Sequence, residues 1–191
     1  GGTVVAWGGS QYVDSYDYGE TEIPDNLINV ISIAAGRYHS LALKSDGTVV
    51  GWGKNDDGQV DVPDDLSDVI AIEGGDSHSL ALKSDGTVIA WGSNNSGELN
   101  IPIDLDDVIS IAANFHFSLA LKSDGTVVGW GENSFGQVDI PENHPNTQKN
   151  SWNSHAFTAI QATDSYVRMG DFANVLIEKT DHFDLYGVVV D

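Results

Sequence analysis

One eleven-residue stretch recurs almost unchanged and constrains the fold more than any other feature of the chain. Residues 43–53 read LKSDGTVVGWG, and close copies stand at 82–92 and 121–131. The tail of a further copy opens the sequence at residues 2–8. A constant spacing of 39 residues relates Trp52, Trp91 and Trp130, and also Pro24, Pro63, Pro102 and Pro141. A period of this length predicts an array of repeated supersecondary units.

Each repeat predicts three to four short strands. Apolar runs at 30–35, at 39–44 and at 48–52 are separated by a break at Gly36 and by the pair Asp46-Gly47. An Asp-Gly pair readily supplies the positive φ that hairpin turns need. Residues 60–62 form a last extended stretch before Pro63, and no segment has helical periodicity.

The apolar pattern favours propeller blades. Residues 41–43 are apolar in succession, as are Val49 and Val50, whereas a sheet with one wet face would alternate strictly. Blades are covered on both faces by their neighbours, and the small residues 34–36 suit an inner strand where blades converge. We therefore predict an all-β chain of β-propeller-type tandem blades, with a solenoid of tandem hairpins as the alternative.

The repeats suggest the division of the chain. Residues 1–141 are interpreted as propeller repeats, with units near 2–24, 25–63, 64–102 and 103–141. The first unit carries a six-residue insertion within 9–20, because Trp7 to Pro24 spans 17 positions where Trp52 to Pro63 spans 11. Residues 142–191 are either a degenerate fourth repeat or the start of another β segment.

Propeller rings usually close with 4–8 blades, and about four units stand at the lower limit of that range. The chain could be a piece of a larger ring, a small four-bladed ring, or half of a ring completed by a second copy. Residues 3–7 and 183–186 carry the same third-strand element, so simple ring closure through shared strands is not obvious from the sequence. The sequence begins in mid-repeat without Met, which we read as a processed product or part of a longer chain.

The charge balance restricts the partners. Lys and Arg number 8 against 29 Asp and Glu, which gives a net charge of −21. Nucleic acid and anionic membrane surfaces would repel such a chain. No apolar run reaches the length of a membrane helix, so membrane insertion is not expected. A basic protein, a cation or a high-salt habitat would suit the charge, although acidic surfaces also simply promote solubility.

No residue pattern predicts catalysis, a metal site or a cofactor. His39 and His78 follow the period, but Phe117 takes the third position, which indicates packing and hydrogen bonding. There is no cysteine, no Cys/His cluster and no phosphate-binding loop. Acidic turns such as 55–58 are better explained as solvated turns than as calcium sites.

The segment AAGRYHSLALKSDGTVVGWGKNDDGQ, residues 34–59, resembles repeats of the regulator of chromosome condensation type. It is most similar to the bacterial branch typified by β-lactamase inhibitory protein II. The match covers residue 2 to about Pro141. The resemblance implies a β-propeller, typically seven-bladed, that binds proteins through loops on one face.

The positions that differ between otherwise equal repeats are the candidate binding residues. One slot directly after the predicted inner strand holds Arg37-Tyr38, Asp76-Ser77 and Phe115-His116 in the three repeats. The resemblance implies that this slot is the partner-facing rim, and aromatic residues and Arg are common interface anchors. The insertion adds tyrosines of a contact-loop type, namely Tyr12, Tyr16 and Tyr18. Glu73 places an acid where Ala34 and Ala112 stand.

We therefore expect a non-catalytic protein-binding module that uses one rim. The alternative is a structural or adhesive segment of a cell-surface or virion protein that binds glycan or calcium. An extracellular, cell-surface or virion location is favoured, and the chain is expected to form homo-oligomers or to continue in a longer protein.

Overall fold

The computed structural model describes residues 3–7, 18–25, 27–140 and 187–189. They all belong to one compact unit, formed by Gly1–Asn143 and Asp184–Asp191. These ranges contain strands but no helix, hence none that could cross a bilayer. The strands are β1 (Thr3–Val5), β2 (Val30–Ala35), β3 (His39–Lys44), β4 (Val49–Gly53), β5 (Val69–Gly74), β6 (His78–Lys83), β7 (Val88–Gly92), β8 (Val108–Asn114), β9 (Phe117–Lys122), β10 (Val127–Gly131) and β11 (Gly187–Val189).

Three antiparallel three-stranded sheets form the blades, and the predicted propeller class is confirmed. Blade 1 is β2-β3-β4, blade 2 is β5-β6-β7 and blade 3 is β8-β9-β10. In the hairpin of blade 1, the Thr48 amide donates to Asp46 Oδ1 at 3.0 Å and Gly47 has a φ of 79°. Residues 60–62 form no strand, so each described blade has three strands rather than four.

The hydrophobic core lies between the blades. Leu41 and Leu43 of blade 1 are fully buried against Val69, Ile72 and Trp91 of blade 2. The same arrangement repeats where Leu80 and Leu82 of blade 2 pack against blade 3. Each fully buried leucine contributes about 2 kcal/mol relative to an exposed one. The uninterrupted apolar runs therefore reflect sheets covered on both faces, as predicted.

A hydrogen bond from one buried tryptophan in each of the three blades ties that blade to the turn that precedes it. The indole Nε1 of Trp52, Trp91 and Trp130 donates to a backbone oxygen 32 positions earlier, at 2.8, 2.9 and 2.7 Å. The acceptors are the carbonyls of Glu20, Gln59 and Glu98. Each tryptophan thus combines burial between blades with satisfaction of a buried carbonyl.

The histidines bridge neighbouring blades, which confirms their structural role. His39 Nε2 lies 3.0 Å from Ser79 Oγ, and His78 Nε2 lies 3.0 Å from Ser118 Oγ. Because Ser79 Oγ donates to the Gln59 carbonyl at 2.8 Å, it accepts from His39. Both histidines are fully buried, and burial lowers their pKa to about 4. The imidazoles are therefore neutral at pH 7.

The two ends of the unit share a sheet, a pairing that was not obvious from the sequence. β1 pairs antiparallel with β11, with Thr3 opposite Val189 and Val5 opposite Gly187. Val4 also packs against Val30, Ala42 and Trp52 of blade 1. The interpretation of residues 142–186 lies outside the described residues, and the proposed division into units stays a prediction.

Glu73 is the one departure from small residues at its position on the inner strands. It lies on β5 opposite Leu80, where β2 has Ala34 and β8 has Ala112. Burial raises the pKa of this carboxyl from its ordinary 4.5 to about 7. Ionisation of Glu73 is therefore less favourable in the folded state than in the unfolded state, and it lowers the free energy of unfolding.

Replacing Trp130 by Phe should destabilise the protein by about 1–3 kcal/mol, because the buried Glu98 carbonyl loses its donor. Chemical denaturation of the wild type and the variant measures the difference. Trp7→Phe is the control, since Trp7 is 51% exposed and should tolerate the change. Equal effects of the two substitutions would contradict the role of the indole bond.

Replacing His39 and His78 by Phe, the residue that blade 3 uses, should reduce the loss of stability on acidification. Between pH 6.5 and about 4 the unfolded histidines bind protons and the folded ones do not, so wild-type stability falls as pH falls through this window. For each histidine, the free energy of unfolding falls by on the order of 1 kcal/mol for each unit by which its pKa differs between the folded and unfolded states. Unfolding free energies of both proteins from pH 8 to pH 4 test this, because the difference between them removes contributions from other groups. Parallel curves would refute it.

Glu73→Ala should stabilise the protein above pH 7 by on the order of 1–3 kcal/mol. The raised pKa means that the folded state retains a proton that the unfolded state loses, so the wild-type penalty grows as pH rises from 4.5 to about 7. The gain should therefore vanish near pH 4.5. Thermal unfolding across this range provides the measurement, with the exposed Glu22→Ala as control. A gain that does not depend on pH would contradict the account.

Candidate functional site

The six variable slot residues form one continuous row along a rim of the blades. We call Arg37, Tyr38, Asp76, Ser77, Phe115 and His116 the rim row. The backbone amide of Arg37 donates to the Gly75 carbonyl at 3.1 Å, and that of Asp76 donates to the Phe115 carbonyl at 2.9 Å. Each slot is therefore fixed to the slot of the next blade. Residues 39 positions apart become neighbours.

At blade 1 the rim row presents a cation beside an aromatic ring. Arg37 Nη1 lies 3.1 Å from Asp76 Oδ1, and its guanidinium carbon lies 4.9 Å from the centre of the Tyr38 ring. The hydrogen bond to Asp76 is the main cause that raises the pKa of Arg37. About half of the Arg37 side chain is exposed, so the pair links two slots while keeping the guanidinium open to a partner.

Tyr18 and Lys54 extend this end of the row. The rings of Tyr18 and Tyr38 lie 5.2 Å apart with a tilt of 53°. Lys54 Nζ lies 5.2 Å from the Tyr18 ring centre and 5.7 Å from that of Tyr38. The last tyrosine of the insertion thus joins the rim row, with an ammonium group over both rings. Tyr12 and Tyr16 lie outside the described residues, and their role stays a prediction.

At blade 3 the rim row combines an exposed ring with a buried carboxylate. Phe115 is 39% exposed, and its ring centre lies 6.3 Å from that of His116. His116 Nδ1 lies 3.2 Å from Oε1 of Glu98, whose residue is fully buried. The other oxygen of Glu98 accepts from the Ser96 amide at 2.7 Å. Glu98 therefore holds His116 in place from beneath.

Blade 2 has the smallest side chains of the rim row. Ser77 stands where its neighbours have Tyr38 and His116. Beneath it, Gln59 is fully buried, and its Oε1 accepts from the Asp57 amide at 3.0 Å. The Nε2 of Gln59 has no hydrogen-bond partner within the described part of the chain. The middle of the row is therefore a polar gap between two larger side chains.

Sequence reasoning missed three contributors to this rim, namely Lys54, Gln59 and Glu98. A signal for them existed. The position after each tryptophan–glycine pair varies as Lys54, Ser93 and Glu132, in the same way as the slot itself varies. Comparing all variable positions of the repeats would have found Lys54, and also Gln59 and Glu98, whose position varies between Gln and Glu.

The described residues contain no group of three or more His, Cys, Asp or Glu side chains that could hold a metal ion. The acidic turns use their polar atoms internally. Asn55 Nδ2 donates to Asp61 Oδ1 at 2.7 Å, and Asn55 Oδ1 accepts from the Val60 amide at 3.1 Å. The groups that the rim offers to a partner are aromatic rings, two cations and hydrogen-bonding side chains.

Three segments match the sequence model of the family described as "Regulator of chromosome condensation (RCC1) repeat". They are residues 30–59, 69–98 and 108–137, so each starts with an inner strand and ends at a Gln or Glu. The first two of these end residues, Gln59 and Glu98, lie beneath the slot of the following blade. No curated protein sequence matches the chain.

Solved structures share the fold. Prp20p from Saccharomyces cerevisiae is 26% identical, with a TM-score of 0.51 over 59% of this chain and 33% of that one. Yeast RCC1 (Prp20) bound to Kap60 is 28% identical, with a TM-score of 0.51 over 63% of this chain and 34% of that one. Human WBSCR16, at 22% identity and a TM-score of 0.50 over 59% and 37%, shows the fold alone.

The matched region thus spans about a third of each yeast chain. Within that region, the repeat match and the blade geometry agree segment by segment. The chain therefore contains three consecutive segments that match the regulator of chromosome condensation repeat, each of which forms one three-stranded propeller blade.

Proposed function

We propose that this protein is a non-catalytic module that binds a protein partner through the rim row. One observation carries the proposal. Residues that vary between the repeats converge on one rim, whereas the residues that hold the blades together repeat almost unchanged. Packing alone would not require Arg37, Asp76 and Phe115 at three equivalent positions.

The chemistry of the rim row supports protein binding. Tyr38 and Phe115 supply large, fairly rigid contact surfaces, and Arg37 supplies a planar group with several donors. The related Prp20p was described together with its binding properties to Gsp1p and histones, and yeast RCC1 was solved bound to Kap60. Those partners belong to the yeast proteins. They support a binding role for this repeat type.

The charge of the chain supports a basic protein as the partner and disfavours nucleic acid. A net charge of −21 attracts cationic surfaces over long range and repels phosphate. The use of the rim in the manner of the bacterial inhibitor branch stays a prediction, as does an extracellular, cell-surface or virion location. The adhesive alternative gains no specific support, because the side chains of turns such as Asn55 and Asp61 bond to each other.

Peptide selection with matched variants tests the proposal. A phage-displayed random peptide library would be selected on the immobilised full chain, and the affinities of the selected peptides measured by fluorescence anisotropy. The double variant Tyr38→Ala/Phe115→Ala should weaken them at least about 10-fold, because buried aromatic anchors dominate interface energies.

The control is Ile70→Ala/Ile109→Ala, which removes two exposed apolar side chains at the other end of the inner strands. These positions lie about 20 Å along the strand from the slots, given about 3.3 Å per residue. The control should bind normally. Two results would rule out the rim row as the binding surface. The peptides could bind Tyr38→Ala/Phe115→Ala as tightly as the wild type, or both double variants could lose affinity equally.

A further inference from the structure

A turn of the same construction follows the last strand of each blade, at residues 55–61, 94–100 and 133–139. Its first residue is an asparagine, whose side-chain nitrogen donates to Oδ1 of the seventh residue at 2.7, 3.2 and 2.8 Å. The side-chain oxygen of that asparagine accepts from the amide of the sixth residue at 3.1, 2.9 and 3.1 Å. A glycine with a φ of 79°, 88° or 74° takes the fourth place. We call these three segments the tip turns.

The third residue of each tip turn varies, although the turn around it does not. It is Asp57, Ser96 and Phe135 in the three turns. Its amide donates to a side-chain oxygen two positions later, at 3.0, 2.7 and 2.8 Å. Tyr18 takes the same place before blade 1, since its amide bonds to Glu20 in the same way at 3.0 Å. The turn thus holds its backbone in advance and presents one variable side chain, which reduces the entropy lost on binding.

The tip turns lie on the rim that carries the rim row. The residue just before each turn donates its amide to the carbonyl of the second slot residue of the same blade, at 2.8 Å in all three cases. The pairs are Lys54 with Tyr38, Ser93 with Ser77 and Glu132 with His116. Each tip turn therefore starts beside a slot, and the last of them extends the rim beyond the slot of blade 3.

The blade 3 tip turn presents an exposed ring next to a carboxylate. Phe135 is 91% exposed, so its ring contributes little to the core. Asp139 is exposed as well, and its Oδ1 accepts from Asn133. Its other oxygen, Oδ2, would lie 3.2 Å from a Cβ atom added at Gly136, the residue that follows Phe135. The second oxygen is therefore directed toward the backbone beside the ring.

The chain itself shows once what such a pair can hold. Lys54 Nζ lies 5.2 Å from the ring centre of Tyr18, which stands where the blade 3 turn has Phe135. The same ammonium lies 3.6 Å from Asp56 Oδ2. A ring and a carboxylate thus share one cation at the start of the rim. Within the described part of the chain, no lysine or arginine lies over the Phe135 ring.

The other two tip turns lack this combination. The blade 1 turn has carboxylates at both places, Asp57 and Asp61, and the blade 2 turn has Ser96 and Asn100. The net charge of −21 attracts a cationic group to the rim and disfavours an anionic one. Lysine and arginine suit an aromatic ring beside a carboxylate, because their apolar stems cover the ring while the charged end reaches the carboxylate.

We propose that the tip turn of blade 3 is a subsite for a lysine or arginine side chain of the bound protein. The cation lies over the ring of Phe135 and pairs with Asp139 Oδ2. The subsite deepens the proposed function and rests on it for the identity of the partner. It adds one residue to the binding surface, Phe135, which the sequence analysis did not select.

N-acetyl-arginine methylamide is the probe, and the backbone amide signals of residues 133–139 in the ¹⁵N-labelled full chain are the readout. The arginine compound should shift these signals saturably. Its uncharged isostere, N-acetyl-citrulline methylamide, should not shift them at the same ionic strength, because its urea group carries no charge. Signals that do not respond to the arginine compound, or that respond equally to both, would overturn the cation subsite.

Phe135→Ser/Asp139→Asn tests the two residues together, and it gives the blade 3 turn the residues that the blade 2 turn already has. Asn100 accepts the bond from Asn94 that Asp139 accepts from Asn133, so the turn should be retained. The affinity for the arginine compound should fall about 3- to 30-fold, as expected for the loss of an exposed cation–π contact and one ion pair.

Ile103→Ser/Asp104→Asn is the matched control. It makes the same change of charge and also replaces an exposed apolar side chain by serine, outside the tip turns. It should leave the affinity unchanged, and melting curves establish that both variants fold. An equal loss in the two variants would show that only the net charge of the chain matters, and undiminished binding by Phe135→Ser/Asp139→Asn would likewise refute the subsite.

The outcome is separable from that of the proposed function. If residues 133–139 bind the arginine compound but Tyr38→Ala/Phe115→Ala leaves peptide binding unchanged, the cation subsite stands and the rim row fails as the protein-binding surface. If the aromatic variant loses peptide binding while residues 133–139 do not respond to the arginine compound, the rim row stands and the cation subsite is wrong.

Discussion

The hydrogen bond from each buried tryptophan to the turn before its blade is the interaction on which the array depends. A blade has two apolar faces and cannot bury both alone. Packing between blades supplies the burial, but apolar contact by itself has no direction. The bond from Trp91 to the Gln59 carbonyl fixes how one blade meets the preceding turn, and the histidine–serine bridges fix the next contact in the same way. These bonds thereby help to set the register between blades.

That fixed register is what turns three separate slots into one surface. Once the blades are held in place, the Arg37 amide reaches the Gly75 carbonyl and the Asp76 amide reaches that of Phe115. The scaffold residues repeat because every blade meets the same contacts. The side chains of the rim row do not make the contacts that hold the blades together. They can therefore differ from blade to blade and include a cation, an aromatic ring and small polar groups. The scaffold residues and the rim row thus occupy different positions of the same repeat.

Much of the local structure follows from the sequence because it depends on neighbours in the chain. The Asp46-Gly47 turn and the inner strand at β2 are set by local conformational preference and apolar pattern, and both were predicted. The assignment of Arg37 and Tyr38 to a partner-facing rim came from the family resemblance and stays a prediction. The contact of His39 with Ser79, by contrast, joins positions 40 apart and depends on how two sheets stack. No local pattern encodes that distance.

The same reason separates what was predicted at the candidate site from what was not. Variation between repeats identified the slot residues, since it needs only an alignment of the chain with itself. Lys54 over the rings of Tyr18 and Tyr38 was not foreseen, because three separate segments bring those groups together. Pairing of β1 with β11 was likewise not evident from the sequence, since it links the two ends of the unit.

By itself, then, the sequence determined the period, the strand content, the hairpin turns and the acidic charge, all of which are local or additive properties. Only the tertiary structure decided that Gln59 keeps an unpaired donor beneath Ser77 while Glu98 meets His116. Whether a buried polar atom is satisfied depends on which residue a neighbouring blade places opposite it. That is a property of the packed sheets rather than of any single segment.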